Sequence, residues 1–399
     1  MESPLTQSVV PRAASPQAFR HAFVTQDYGP DLGGIARRNV ELCRRLTGGV
    51  VVSTVAHRDA AVFDAGESYP IARQPFDITD AKRFGNQIAW ARTLPVAGVL
   101  HVGNIRPAGY PVWWAHHRAG LPYIIYVYGM DLLKERRKFG GVQGALKRYT
   151  ARRLFADAAG VVAISAWTAE LTADIMRRAG ITHAPPVATI ELGTDPGFFR
   201  PDRDTGALRR RLGLGSSPLL LTVARLVPHK GQDIAIEALA RLPGDVRYLI
   251  IGEGPDAPRL RALAASLGVA DRVTLAGALD DAEIAEAYAA ASVYVGLSRR
   301  DGDVSVEGFG ISFVEAGASG TPSVAGDSGG VRAAVRDGET GIIVPPSDPG
   351  AAAEAIRALL DDAARRAAMG VAARRAVESH YNWDRVASET AAFVASVTG

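Results

Sequence analysis

At 399 residues the chain is too long for one small core, so two domains are expected. An apolar share of 47% with 22% charged residues excludes a wholly disordered chain, and a formal net charge of +3 gives no case for nucleic acid as a partner. The single cysteine, Cys43, excludes an internal disulfide and a cysteine-based metal centre; it falls in an amphipathic helical stretch and is expected in the core.

Residues 1–20 lack the apolar block of a signal peptide and are expected to form a disordered tail. No run approaches the length of a membrane span, which points to the cytoplasm. The first domain is expected over 21–200. It opens with a strand at 21–26, a loop at 27–34 ending in Gly33 and Gly34, and a helix carrying Ile35, Leu42 and Leu46 on one face. A strand, a glycine pair and a helix start can form a ligand loop, though this is not a dinucleotide fingerprint. Further strands are expected at 50–55, 98–102, 123–128, 160–164 and 186–191, with helices between several of them. That alternation predicts a parallel sheet covered on both faces. Tyr128-Gly129-Met130-Asp131 closes the third of these runs, at the carboxyl end where open α/β sheets bind ligands. Between 131 and 153 eight Lys/Arg face two acids, a basic stretch compatible with a solvated helix face or with peripheral contact to an anionic membrane.

A Pro/Gly/Arg-rich linker is expected at 201–217, and a second doubly wound domain over 218–381. Its strands are expected at 219–223, 248–252, 273–276, 293–297, 323–325 and 341–344, with helices from 232, 258, 281, 310, 331 and 348. The final helix, 382–399, carries Trp383, Val386 and Phe393 on a helical period. Arg225 and Lys230 stand five apart after the first of these strands, a fork and a point charge suited to two phosphates. Glu307 and Glu315 stand eight apart around Gly308-Phe309-Gly310 and Ile311. The glycines let backbone approach a ligand where free N–H groups favour an anion. Glu315 should lie one turn beyond Ile311 on the same helix face.

These residues resemble the retaining glycosyltransferases with two Rossmann-like domains facing across a cleft, the GT-B fold, of the glycogen-synthase and phosphatidylinositol-mannosyltransferase type. The resemblance runs from His21 onward and rests on Arg225 with Lys230, on Glu307 through Glu315, and on Ser328-Gly329-Gly330 with Asp337-Gly338 and Gly341. It implies an α/β enzyme moving a sugar from a GDP- or UDP-sugar, GDP favoured, to a hydroxylated acceptor, with no metal and no resident cofactor. Arg225, Lys230, Glu307 and Tyr128 would be the catalytic group. Gly33, Gly34, Leu279, Gly308, Phe309, Gly310, Ile311 and Glu315 would help to hold the donor, and Gly34, Tyr128 and Asp131 the acceptor. The resemblance also brings the last helix back onto the first domain.

One position departs from the pattern: Tyr128 stands where many relatives carry histidine. Tyrosine can hydrogen-bond a sugar hydroxyl but, with a reference pKa of about 10, is a poor base at neutral pH. His101, His116 and His117 are the candidates for an imidazole, or are ordinary structural histidines. Asp301-Gly302-Asp303 imitates a metal-binding D-x-D and reads as a solvated loop. By the same resemblance the reaction is a front-side attack, with the leaving diphosphate taking the acceptor's proton. A non-catalytic nucleotide-sugar-binding protein, and an epimerase or phosphorylase of the same fold, are the alternatives.

Overall fold

The computed structural model describes residues 19–30, 33–75, 83–137, 141–302 and 305–399. Seven strands build the first sheet: β1 (His21–Val24), β2 (Val50–Val55), β3 (Ile71–Gln74), β4 (Val99–Val102), β5 (Tyr123–Val127), β6 (Gly160–Ala163) and β7 (Val187–Thr189). They run in the order β3-β2-β1-β4-β5-β6-β7 and every pair is parallel. The second sheet has β8 (Leu219–Val223), β9 (Arg247–Ile251), β10 (Val273–Gly277), β11 (Val293–Gly296), β12 (Ser323–Gly326) and β13 (Gly341–Val344). Its order is β10-β9-β8-β11-β12-β13, again all parallel.

Helices cover both faces, so the central strands are apolar throughout rather than alternating; all five residues of β5, Tyr-Ile-Ile-Tyr-Val, are buried. Strand order reverses at β1/β4 in one sheet and at β8/β11 in the other. Those reversals open a crevice beyond the strand ends, where sheets of this kind take ligands.

The expected α/β architecture with two doubly wound sheets is present. β3 was not anticipated: it is a four-residue edge strand, largely half-buried, and its Ile-Ala-Arg-Gln has no apolar alternation to reveal it. The last helix, Trp383–Thr398, packs on the first domain. Asp384 accepts a hydrogen bond from Arg45 Nε at 2.7 Å, and the Phe393 ring fills the space a side chain on Gly160 would need. Trp383, 2% exposed, anchors the helix at the crossover between domains.

Candidate active site

The two strand-order reversals face one another across a cavity of about 600 Å³. From the first sheet come Gln26 and Asp27 after β1, Asn104, Ile105 and Arg106 after β4, and Tyr128, Met130 and Asp131 after β5. From the second come Ala224, Arg225, His229 and Lys230 after β8, and the loop from Val306 to Ile311.

Lys230 donates from Nζ to Glu307 Oε2 at 2.6 Å, and Ser298 Oγ donates to the same oxygen at 3.2 Å. Burial alone would raise the Glu307 carboxyl; the Lys230 charge and these two hydrogen bonds outweigh it and hold the group below the usual glutamate range. The Lys230 loop is fixed by Gly231, whose φ is +72° and whose missing Cβ would lie 1.9 Å from the Leu297 carbonyl oxygen at the end of β11. No other residue fits there. Gln232 then donates to the Arg225 carbonyl at 3.0 Å, which leaves the exposed Arg225 side chain over the cavity.

Gly310, at φ +94°, caps the helix Ile311–Ala318, so the loop Glu307–Gly310 presents backbone to the cavity at that helix start. Ile311 lines the cavity, but Glu315, one turn deeper, does not. It is 8% exposed and accepts from the Tyr288 hydroxyl at 2.8 Å. Burial raises its carboxyl above the usual range, opposed by the nearby Arg37 charge. Arg37 itself crosses the domains to Asp281 at 3.0 Å. Leu279 is partly buried against the core and is not among the cavity residues.

On the opposite wall Gly33 and Gly34 begin the helix Gly34–Arg45, and a side chain on Gly34 would stand 3.8 Å from Ile311. Asp131 accepts from the backbone N–H groups of Tyr128 and Leu132, at 3.2 and 2.9 Å, yet burial still lifts its carboxyl to about 6. Tyr128 is 8% exposed, its hydroxyl accepts from Arg38 Nη1 at 3.4 Å, and burial pushes it well above the usual tyrosine value. It lines the cavity with its hydroxyl protonated at neutral pH.

The other candidate imidazoles lie elsewhere. His101 is buried in the sheet between His21 (2.9 Å) and the Tyr126 hydroxyl (2.7 Å), and His116 bonds the Leu121 carbonyl. His117, on the same helix as His116, lies 3.7 Å from Asp157, just past the helix Gly141–Ala156. Cys43 is buried, as expected. Asp31, Leu32 and Asp303 lie outside the described residues, as do the side chains at 134–144 and 146–148 of the basic stretch; Arg152 and Arg153 are exposed.

Sequence reading missed Asp27, Asn104, Arg106 and His229 at the cavity. Asn104 bridges Asp27 Oδ2 at 2.5 Å and the Thr25 hydroxyl at 2.7 Å, an arrangement joining residues far apart in the chain. Only the place of Asp27 and Asn104 just beyond strand ends could have signalled them.

Two parallel sheets with opposed ligand crevices define the GT-B class of fold. Solved structures agree: the Anabaena Alr3699/HepE complex with UDP and glucose superposes with a TM-score of 0.78 at 21% identity, covering 95% of this chain and 100% of that one. The sucrose-phosphate synthase of Thermosynechococcus elongatus gives 0.75 at 23%, over 95% and 99%.

The chain belongs to the glycosyl transferases group 1, whose family model matches residues 204–376. It is 30% identical over 397 residues to a D-inositol 3-phosphate glycosyltransferase of Thermobispora bispora, covering 90% of this chain and 89% of that protein. A GDP-mannose-dependent alpha-(1-6)-phosphatidylinositol monomannoside mannosyltransferase of Mycolicibacterium smegmatis is 39% identical over 243 residues, 59% of this chain and 62% of that protein. The chain thus matches less than two thirds of the length of that relative. Among the described residues no helix is long and apolar enough to cross a membrane.

Proposed function

We propose that this chain transfers a sugar, with retention, from a nucleoside-diphosphate sugar to a hydroxyl of a small-molecule, lipid or glycan acceptor. The observation that carries the reading is the cavity itself. Arg225, Lys230 and the glycine-rich helix start gather on one wall, with Glu307 beside Lys230, and Tyr128 and Asp131 stand opposite. A diphosphate between Arg225, Lys230 and the free N–H groups of the loop would have its growing charge stabilised as the sugar–oxygen bond breaks. Glu307 would orient the sugar, and Glu315 is assigned to the ribose, reached from the deeper turn of the same helix. The leaving diphosphate takes the acceptor's proton, so the high-lying Tyr128 hydroxyl need not ionise.

A GDP-sugar is the favoured donor, because the relatives at 39% identity are named GDP-mannose-dependent. Two side-chain cations serve the diphosphate, so transfer is proposed to need no divalent metal; activity lost to a chelator and restored by magnesium or manganese would overturn that. The reaction is assigned to the cytoplasm.

The deciding experiment is calorimetric titration of GDP, UDP and their common sugar conjugates into wild type and Lys230→Ala, followed by mass-spectrometric screening of acceptors. Micromolar binding of one nucleotide, lost in Lys230→Ala, supports the donor site. A wild type that binds no nucleoside diphosphate overturns it.

A further inference from the structure

Behind the cavity, and not lining it, lies a second ionic arrangement. Asp233, in the first turn of the helix Gln232–Leu239, is 7% exposed and receives both arms of one guanidinium: Arg299 Nη1 donates to Oδ1 at 2.7 Å and Nη2 to Oδ2 at 2.8 Å. Two parallel charge-assisted bonds fix direction as well as distance, which a lysine could not do. Burial would raise the Asp233 carboxyl, but its arginine partners hold it below the usual range.

Each end of this pair is close in the chain to a group that touches Glu307: Asp233 is three residues from Lys230, and Arg299 one from Ser298. The Arg299 backbone N–H also donates to the His229 carbonyl at 2.8 Å, so the strand-end loops carrying Lys230 and Ser298 are sewn together twice, by backbone and by side chain. A second arginine, Arg259, reaches Asp233 Oδ2 at 3.1 Å from the outer side, where it is half-exposed and already held by Asp256 at 2.6 Å.

We propose that the Asp233–Arg299 pair is a positioning clamp that holds Lys230 and Ser298 against Glu307, and with them the phosphate-facing wall of the cavity. The functional consequence rests on the donor-site reading above; the geometric claim does not. Neither residue touches the cavity, so both act through Lys230 and Ser298. The groups facing Glu307 are Lys230, Ser298 and His229, with Tyr294 nearby.

The test uses the full chain without ligand. Glutamate ¹³C-carboxyl NMR, with Glu307 assigned by Glu307→Gln, follows its titration in wild type, Asp233→Asn, Arg299→Gln and Arg259→Gln. The clamp predicts that Glu307 titrates higher in Asp233→Asn and Arg299→Gln, because Lys230 is no longer held at 2.6 Å, and unchanged in Arg259→Gln. Arg299→Lys, which keeps charge but loses the fork, should show an intermediate shift and stands in where Asp233→Asn does not fold. An unmoved Glu307 in both clamp variants, or an equal shift in Arg259→Gln, overturns the proposal. Calorimetry with GDP adds the functional arm: binding weakens roughly tenfold in Asp233→Asn and Arg299→Gln and not in Arg259→Gln. Wild type that fails to bind any nucleotide refutes the donor-site reading, while the titration still decides the clamp.

Discussion

The Ser165 hydroxyl, on the first domain, donates to the Gly308 carbonyl oxygen, on the second, at 2.8 Å in a fully buried position. The same hydroxyl caps the helix Ala166–Arg178 by accepting from the Thr168 N–H at 3.2 Å. Around it the backbones touch. A side chain on Gly308 would stand 2.1 Å from the Tyr128 carbonyl oxygen, and one on Gly330 would stand 1.9 Å from the Gly308 carbonyl oxygen. The loop Glu307–Gly310, part of the cavity wall proposed to take the diphosphate, is therefore also the seam between domains.

Ser165→Ala should leave a buried carbonyl without its donor and a helix without its cap, a loss of about 2 kcal/mol. Gly308→Ala should be worse for closure than for folding, because the domains can part to admit the methyl group. Small-angle scattering should report a larger radius of gyration for Gly308→Ala, and calorimetric unfolding a lowered midpoint for Ser165→Ala. An unchanged scattering profile for Gly308→Ala would mean that the seam yields locally.

Glu307 and Lys230 make a pH-dependent contribution whose sign is set by the depressed Glu307 carboxyl. A carboxylate held below its unfolded pKa stabilises the fold above that unfolded value, and the contribution is lost as pH falls through the folded value. Lys230→Met should accordingly cost about 1–3 kcal/mol at pH 7, since it strands a half-buried carboxylate, and much less below pH ~4. Denaturant unfolding across that range measures the difference; a pH-independent cost would show that the lysine contributes by packing alone.

Much of this site could be read from the chain because it is local. Arg225, Lys230 and the Glu307–Ile311 loop follow strand ends within short segments, and their residue types state their chemistry. Glu315 was legible only in part: its spacing from Ile311 is right, but the turn of helix that separates them carries it under the surface to Tyr288, a partner 27 residues away. Asp233 and Arg299 are 66 apart and meet only because β8 and β11 are neighbours in the sheet. The edge strand β3 escaped because short, half-exposed strands lack the apolar pattern that marks central ones.

Asp131 carries the opposite sign to Glu307. Burial lifts it to about 6, so the native state binds a proton more tightly than the unfolded chain, and stability falls as pH rises from about 4 through 6. Asp131→Asn keeps an oxygen for the Tyr128 and Leu132 N–H groups and removes that loss. The variant should be more stable than wild type at pH 7.5 and equal to it near pH 4, with reduced transfer activity if the carboxylate serves the acceptor. Paired thermal scans at the two pH values decide; a variant less stable at pH 7.5 would show the charged form to be favoured in the fold.

Glu315 gives the last case, because its buried carboxylate accepts from the Tyr288 hydroxyl. Its carboxyl is raised by burial, so its contribution is favourable below the unfolded value of about 4.5 and is lost as pH rises through the folded value. Tyr288→Phe removes the O–H that eases the charged form, and its cost should grow from small at pH 4 to about 1–3 kcal/mol at pH 7.5. Glu315→Gln should show the reverse: a gain at pH 7.5 that vanishes at pH 4, together with weaker nucleotide binding if the carboxylate meets the ribose. A glutamine variant that is more stable yet binds nucleotide as wild type does would assign Glu315 to the interdomain region it shares with Arg37 and detach it from the donor.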